Sequence, residues 1–163
     1  MVLIPVVDEN DTIIGHKERS EIGSTDIYRV SGLWIVNAQW EMLLAQRAFV
    51  KDYDPGKWWP SVGGTVEKGE SYEETIIRET EEEIGLKDFP IHTLFKKRRM
   101  KSDRTYFVQF FFAEINKPIT EFILKKDEVE QIKWISKEDL LAEIDKHPDD
   151  FLSAVKEYVW YPI

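Results

Sequence analysis

The feature that most constrains this chain is the stretch from Gly63 to Leu86, where a glycine pair, an acidic loop and a carboxylate-rich helix follow one another. Ser71 with Glu74 three residues on has the pattern of a capping box, and Gly85 stands where a helix C-cap glycine belongs. The reading is therefore a strand ending in a glycine turn, a short loop, and a helix over the early 70s to Ile84. At about 100° per residue, Glu79, Glu82 and Glu83 share one sector roughly 100° wide. Ile76, Ile77 and Ile84 fall in the adjoining sector, which is expected to face a core. Neighbouring carboxylates repel, and solubility alone would call for interleaved lysines. Oxygen donors crowded in this way suit hard divalent cations such as Mg²⁺ or Mn²⁺.

The rest of the chain reads as strands around that helix. Leu3 to Val7 and Thr12 to Gly15 form an expected hairpin about Glu9-Asn10-Asp11, an N-terminal extension over residues 1–27. Tyr28 to Val36 has strand composition interrupted at Ser31-Gly32, and Met42 to Arg47 returns as its partner. Ile91 to Phe95 is a further strand, followed by the basic run Lys96 to Lys101, expected as a solvated hairpin tip. Thr105 to Ile115, with its near-continuous apolar character, suits a central strand buried on both faces. Val129 to Ile135 is another strand; Ser136 caps a helix from Lys137 to about Asp145, and a last helix runs from Asp149 to about Tyr158. No repeat or linker divides the chain. The expected fold is α+β or α/β, a mixed sheet between helices, in one domain spanning residues 1–163.

Composition limits the function. The 163 residues suffice for one sizeable core, and a net charge of -9 makes nucleic acid an unlikely partner. A phosphorylated substrate remains compatible if metal ions neutralise the site. The chain has no cysteine, so disulfides, thiolate zinc sites and cysteine nucleophiles are excluded, in keeping with a cytoplasmic setting. The apolar opening Met-Val-Leu-Ile-Pro-Val-Val is too short for a membrane span and lacks a basic lead for a signal peptide.

The spacing Gly64-x5-Glu70-x7-Arg78-Glu79-x2-Glu82-Glu83-x-Gly85-Leu86 resembles the signature of the Nudix hydrolases, Gly-x5-Glu-x7-Arg-Glu-U-x-Glu-Glu-x-Gly-U, where U is a bulky aliphatic residue. One position departs, Thr80, which replaces an aliphatic residue. The resemblance implies a Nudix fold and Mg²⁺- or Mn²⁺-dependent hydrolysis of a phosphoanhydride bond in a nucleoside diphosphate or its derivative. It implies that Glu79, Glu82 and Glu83 bind metal together with the Gly63 carbonyl. Arg78 would orient Glu79, and Glu70 would support the loop or a metal-bound water near the substrate. The general base would be Glu82 or a residue outside the signature, for which Glu128 stands out in Asp127-Glu128-Val129-Glu130; the alternative for Glu128 is a solvated acidic turn.

A narrower resemblance, carried by Val7-Asp8-Glu9-Asn10-Asp11, Leu43 to Ala48, Lys51 and Pro55-Gly56-Lys57-Trp58, is to the branch containing isopentenyl diphosphate isomerase. That reaction requires a cysteine acid and clustered histidines, whereas this chain has only His16, His92 and His147. The expectation is an isomerase-like hydrolase, with the isomerase and a non-catalytic nucleotide-binding domain as alternatives. Trp58 and Trp59 are candidates to stack a substrate base, with core packing as the competing role for one of them. Arg47 and Lys51 are candidates to hold its phosphates, and Arg98 or Arg99 could also reach one. The expected partner is a small nucleotide or diphosphate, without a membrane; a homodimer is compatible with the sequence.

Overall fold

The structure is a computed structural model, and it describes residues 1–161. Nine strands form one mixed sheet: β1 (Leu3–Val7), β2 (Ile13–Glu18), β3 (Ile27–Val36), β4 (Met42–Arg47), β5 (Trp58–Pro60), β6 (Val62–Thr65), β7 (His92–Met100), β8 (Thr105–Glu114) and β9 (Val129–Ile135). The helices are α1 (Tyr72–Ile84), α2 (Lys137–Lys146) and α3 (Ser153–Tyr158).

β3 is the spine. One edge pairs in parallel with β8 along its whole length, Ile27 opposite Thr105 through Val36 opposite Glu114. The other edge is shared by β1, β6 and β4, which meet it antiparallel at successive points. Side chains alternate across a strand, so Leu33 and Ile35 enter one core layer and Trp34 and Val36 the other. The first layer packs under Ile76 and Ile84 of α1; the second is closed by Leu140 of α2 and by Val155 and Tyr158 of α3. The sheet thus lies between helices, as expected of an α+β Nudix fold.

Several local expectations are corrected. Ser31-Gly32 does not interrupt β3, because Gly32 lies flat against the Phe110 ring of β8, where a Cβ would come within 2.5 Å. The basic run is not a hairpin tip but the body of β7. Lys96 and Arg98 face Asp11 and Glu9 of the N-terminal hairpin, whereas Lys97 and Arg99 both pair with Glu157 of α3. Strand alternation therefore turns the run into a two-sided clamp. The last helix begins late, since Phe151 is extended and bridges in parallel to Trp58.

Candidate active site

α1 begins as its sequence requires: the Ser71 hydroxyl accepts from the Glu74 amide, and Glu74 returns a carboxylate to the Ser71 amide. It ends at Gly85 in the left-handed region, φ 68°. Its buried stripe is Thr75, Ile76, Thr80 and Ile84, while Ile77 is 41% exposed. The expectation that Ile77 faces the core fails because two threonines take the inner positions with their hydroxyls satisfied. Thr75 donates to Glu70 and Thr80 to the Ile76 carbonyl. The one departure from the signature is thus a packing substitution.

The helix carries its functional groups in two rows. Arg78 and Glu82 form the outer row. Arg78 grips Glu70 with two hydrogen bonds, 2.6 and 3.0 Å, and reaches Glu79 at 3.1 Å and Glu82 at 3.5 Å. The bidentate Arg78 contact, against the cost of burial and with help from Thr75, holds the Glu70 carboxyl at about 2. Glu70 is fully engaged in this network and does not line the cleft described below.

Glu79 and Glu83 form the inner row. Glu79 lies against β6 so closely that a Cβ on Gly64 would sit 2.4 Å from its side chain; only glycine admits this approach. Burial pushes the Glu79 carboxyl up and Arg78 only partly opposes it. Glu83 is half-buried and opens on a crevice; burial, then the charges of Glu79 and Glu128, push its carboxyl well above the usual range despite Lys51 and Arg47. That crevice, about 20 Å³ and lined by Glu83, Glu128, Gly63, Arg47 and Trp59 among others, has room for a single water or ion. Among the described residues no three acidic or histidine side chains are already drawn into a cation cage. The donor set nonetheless fits a hard cation, because Glu83 and Glu128 face one space of ionic size with the oxygen donors such a cation takes.

Lys51, a candidate phosphate contact, instead donates to Glu128 Oε2 at 2.5 Å. Trp58 and Trp59 diverge, as consecutive strand residues must: Trp58 lies under the Lys133 ammonium, 4.4 Å away, and Trp59 turns to Gly63. Arg47 and Trp59 border both the crevice and a neighbouring cleft of about 190 Å³ whose floor is Gly63-Gly64-Thr65. That cleft also brings in Tyr28, Tyr53, Lys101, Arg104 and Tyr106, none of which was singled out from sequence. Tyr28 and Tyr106 meet because β3 and β8 run parallel in register, with ring centroids 5.6 Å apart. Lys101 and Arg104 frame the turn between β7 and β8. A parallel pairing between strands some eighty residues apart leaves no local sequence signal.

Comparison with known proteins finds relatives over most of the chain. A family model described as NUDIX domain matches residues 27–155. A prenyl-diphosphate phosphatase of Methanosarcina mazei is 30% identical over 157 residues, covering 95% of this chain and 91% of that protein. A Nudix hydrolase of Yersinia pestis is 26% identical, covering 93% and 82%. Among solved structures, one from Deinococcus radiodurans superposes with a TM-score of 0.81 at 22% identity, covering 96% of both chains. A Caenorhabditis elegans Ap4A hydrolase complex superposes with a TM-score of 0.56 at 26% identity, covering 72% of this chain and 85% of that one.

Proposed function

We propose, on the premise that this chain belongs to the Nudix family and is a hydrolase of it, that it cleaves the phosphoanhydride bond of a nucleoside diphosphate or a derivative. The observation that carries this reading is the continuity of the two spaces. An acidic crevice of ionic size opens, past Arg47 and Trp59, into a cleft with cationic and aromatic walls. Glu83 and the Gly63 carbonyl, which line the crevice, with Glu79 on the same row and Glu82 reaching in from the outer row, would hold Mg²⁺ or Mn²⁺, which would supply charge neutralisation on the diphosphate and a more acidic water. Arg47 and Lys101 attract the diphosphate, while Trp59, Tyr28 and Tyr106 enclose the organic group. Arg78 holds Glu79 in place, itself fixed by Glu70.

Water attacks one phosphorus, the bridging P–O bond breaks, and the departing phosphate keeps the bond electrons. Glu128 is favoured over Glu82 as the acceptor of the water proton, because it faces the crevice while Glu82 stands on the outer row. Lys51 binds Glu128 Oε2 at 2.5 Å and Lys125 stands 3.9 Å from Oε1, so Oε1 is the less tightly held oxygen and the one proposed to take that proton. The chain works as a single domain, and no helix among the described residues is long and apolar enough to cross a membrane. A cytoplasmic small molecule is the proposed substrate.

A second reading, a prenyl diphosphate, is favoured by the Methanosarcina relative and by Val30, Leu152 and Ala154 in the cleft wall. Both readings break the same type of bond. The test is phosphate and monophosphate release from nucleoside di- and triphosphates, sugar nucleotides, dinucleotides and prenyl diphosphates, with Mg²⁺, with Mn²⁺ and with EDTA. Metal-dependent turnover of a nucleotide is expected. Turnover of prenyl diphosphates alone selects the second reading, and no turnover across the panel overturns both.

A further inference from the structure

Beyond the main cleft, β6 borders a second one of about 270 Å³, lined by Arg19, Ile22, Tyr28, Tyr53, Thr65 and Arg104 among others. Tyr28, Tyr53, Thr65 and Arg104 belong to both clefts, so the two are continuous, whereas Arg47 borders only the main cleft and the crevice. Arg104 stands at the junction. Its Nε is buried without a hydrogen-bond partner: Asp103 Oδ1 is 3.4 Å away but out of line. Its guanidinium carbon lies 5.8 Å from the centre of the Tyr53 ring. Arg19 faces the same cleft and makes no ion pair among the described residues. Arg19 also precedes residues 27–155, the part matched by the family.

We propose that the cleft between Arg19 and Arg104 is a substrate subsite for a second anionic group, a phosphate monoester or carboxylate carried on the organic part of the diphosphate substrate. This rests on the carboxylate site being where the diphosphate is cleaved. Arg104 lines the cleft, and the planar fork of a guanidinium suits a phosphate or carboxylate. The diphosphate has its own cations, Arg47 at the crevice and Lys101 in the main cleft. Two further guanidiniums farther along β6, opposed in the cleft wall by Asp103 alone, provide charge for another anion. The N-terminal extension thereby becomes a selectivity element.

The test is equilibrium binding by calorimetry on the full chain with Ca²⁺ replacing Mg²⁺, using ligand pairs that share a diphosphate. NADPH against NADH and coenzyme A against its dephospho form differ by a phosphate; UDP-glucuronate against UDP-glucose differs by a carboxylate. At least one pair is expected to favour its more anionic member by about tenfold, as one charge-assisted hydrogen bond gives. Arg104→Ala and Arg19→Ala should each bring that ratio near one, and Arg104→Lys should restore part of it. The pair that responds distinguishes phosphate from carboxylate. Equal affinities in every pair, absence of binding, or variants that weaken both members alike would overturn the proposal. Turnover of the same ligands with Mg²⁺ is read separately, so failure of the hydrolase reading is distinguishable from failure of the subsite.

Discussion

Asp11 and Glu83 are both partly buried carboxylates, and the groups that face them differ. Asp11, at the tip of the N-terminal hairpin with a side chain 7% exposed, receives Arg29 Nε at 2.7 Å, Lys96 Nζ at 2.7 Å and the Tyr72 hydroxyl at 3.1 Å. Burial pushes its carboxyl up, but the hydrogen bonds and charges of Lys96 and Arg29 outweigh it and leave the group below its ordinary value. Glu83 faces Glu79 and Glu128 instead, and the nearest lysine is already bonded to Glu128. A compensated buried carboxylate ties the fold together; an undercompensated one is the kind that marks a candidate functional site. The Asp11 cluster joins the hairpin, β7 and the first turn of α1, so the stability of one region presents the chemistry of the other.

The largest expected effect is on catalysis. Glu83→Gln should lower turnover by a hundredfold or more, about 2.7 kcal/mol of barrier, while leaving melting temperature unchanged or higher. A steep loss of stability in that variant would show that Glu83 is structural, like Asp11. The converse variant, Asp11→Ala, should cost about 2 kcal/mol by denaturant titration, because two cations lose their partner. Its catalytic loss should follow only the fraction unfolded.

Mg²⁺ sharpens the contrast further. A free concentration ten times its Kd should stabilise the wild type by about 1.4 kcal/mol and Glu83→Gln by much less, as read by thermal melts. The smallest effect concerns acid. Asp11 and Glu70 lie below their ordinary values of 3.8 and 4.5, Glu70 at about 2. Their contribution is complete above those ordinary values and is lost as pH falls through the folded ones. Melting temperature without metal should therefore fall from about pH 4.5 toward pH 2, and less steeply in Asp11→Asn.

Much of the candidate site was legible because it is local. A helix with its capping box and closing glycine sets the rows on which Glu79, Glu82 and Glu83 stand, and a regular helix repeats that geometry wherever it is placed. Ile77 shows the limit: apolar character pointed inward, but Thr75 and Thr80 could satisfy their hydroxyls nearby and took the buried stripe. Strand alternation also reassigned residues that sequence treated as equivalents. It sent Trp59 to the glycine floor and Trp58 away, and split the basic run of β7 between two acidic partners.

What the sequence by itself determined is the carboxylate end of the candidate site: which carboxylates are present and their spacing on one helix. Only the tertiary structure decided what surrounds them. Glu128 reaches the crevice because β9 pairs with β4, and Lys51 is bonded to it rather than free. Tyr28, Tyr106 and Arg104 meet because β3 and β8 pair in parallel, and Arg19 joins them because the N-terminal segment closes the same cleft. Helical periodicity is written in neighbouring residues, whereas the walls of a cleft depend on pairings between distant strands, which no short stretch of sequence encodes.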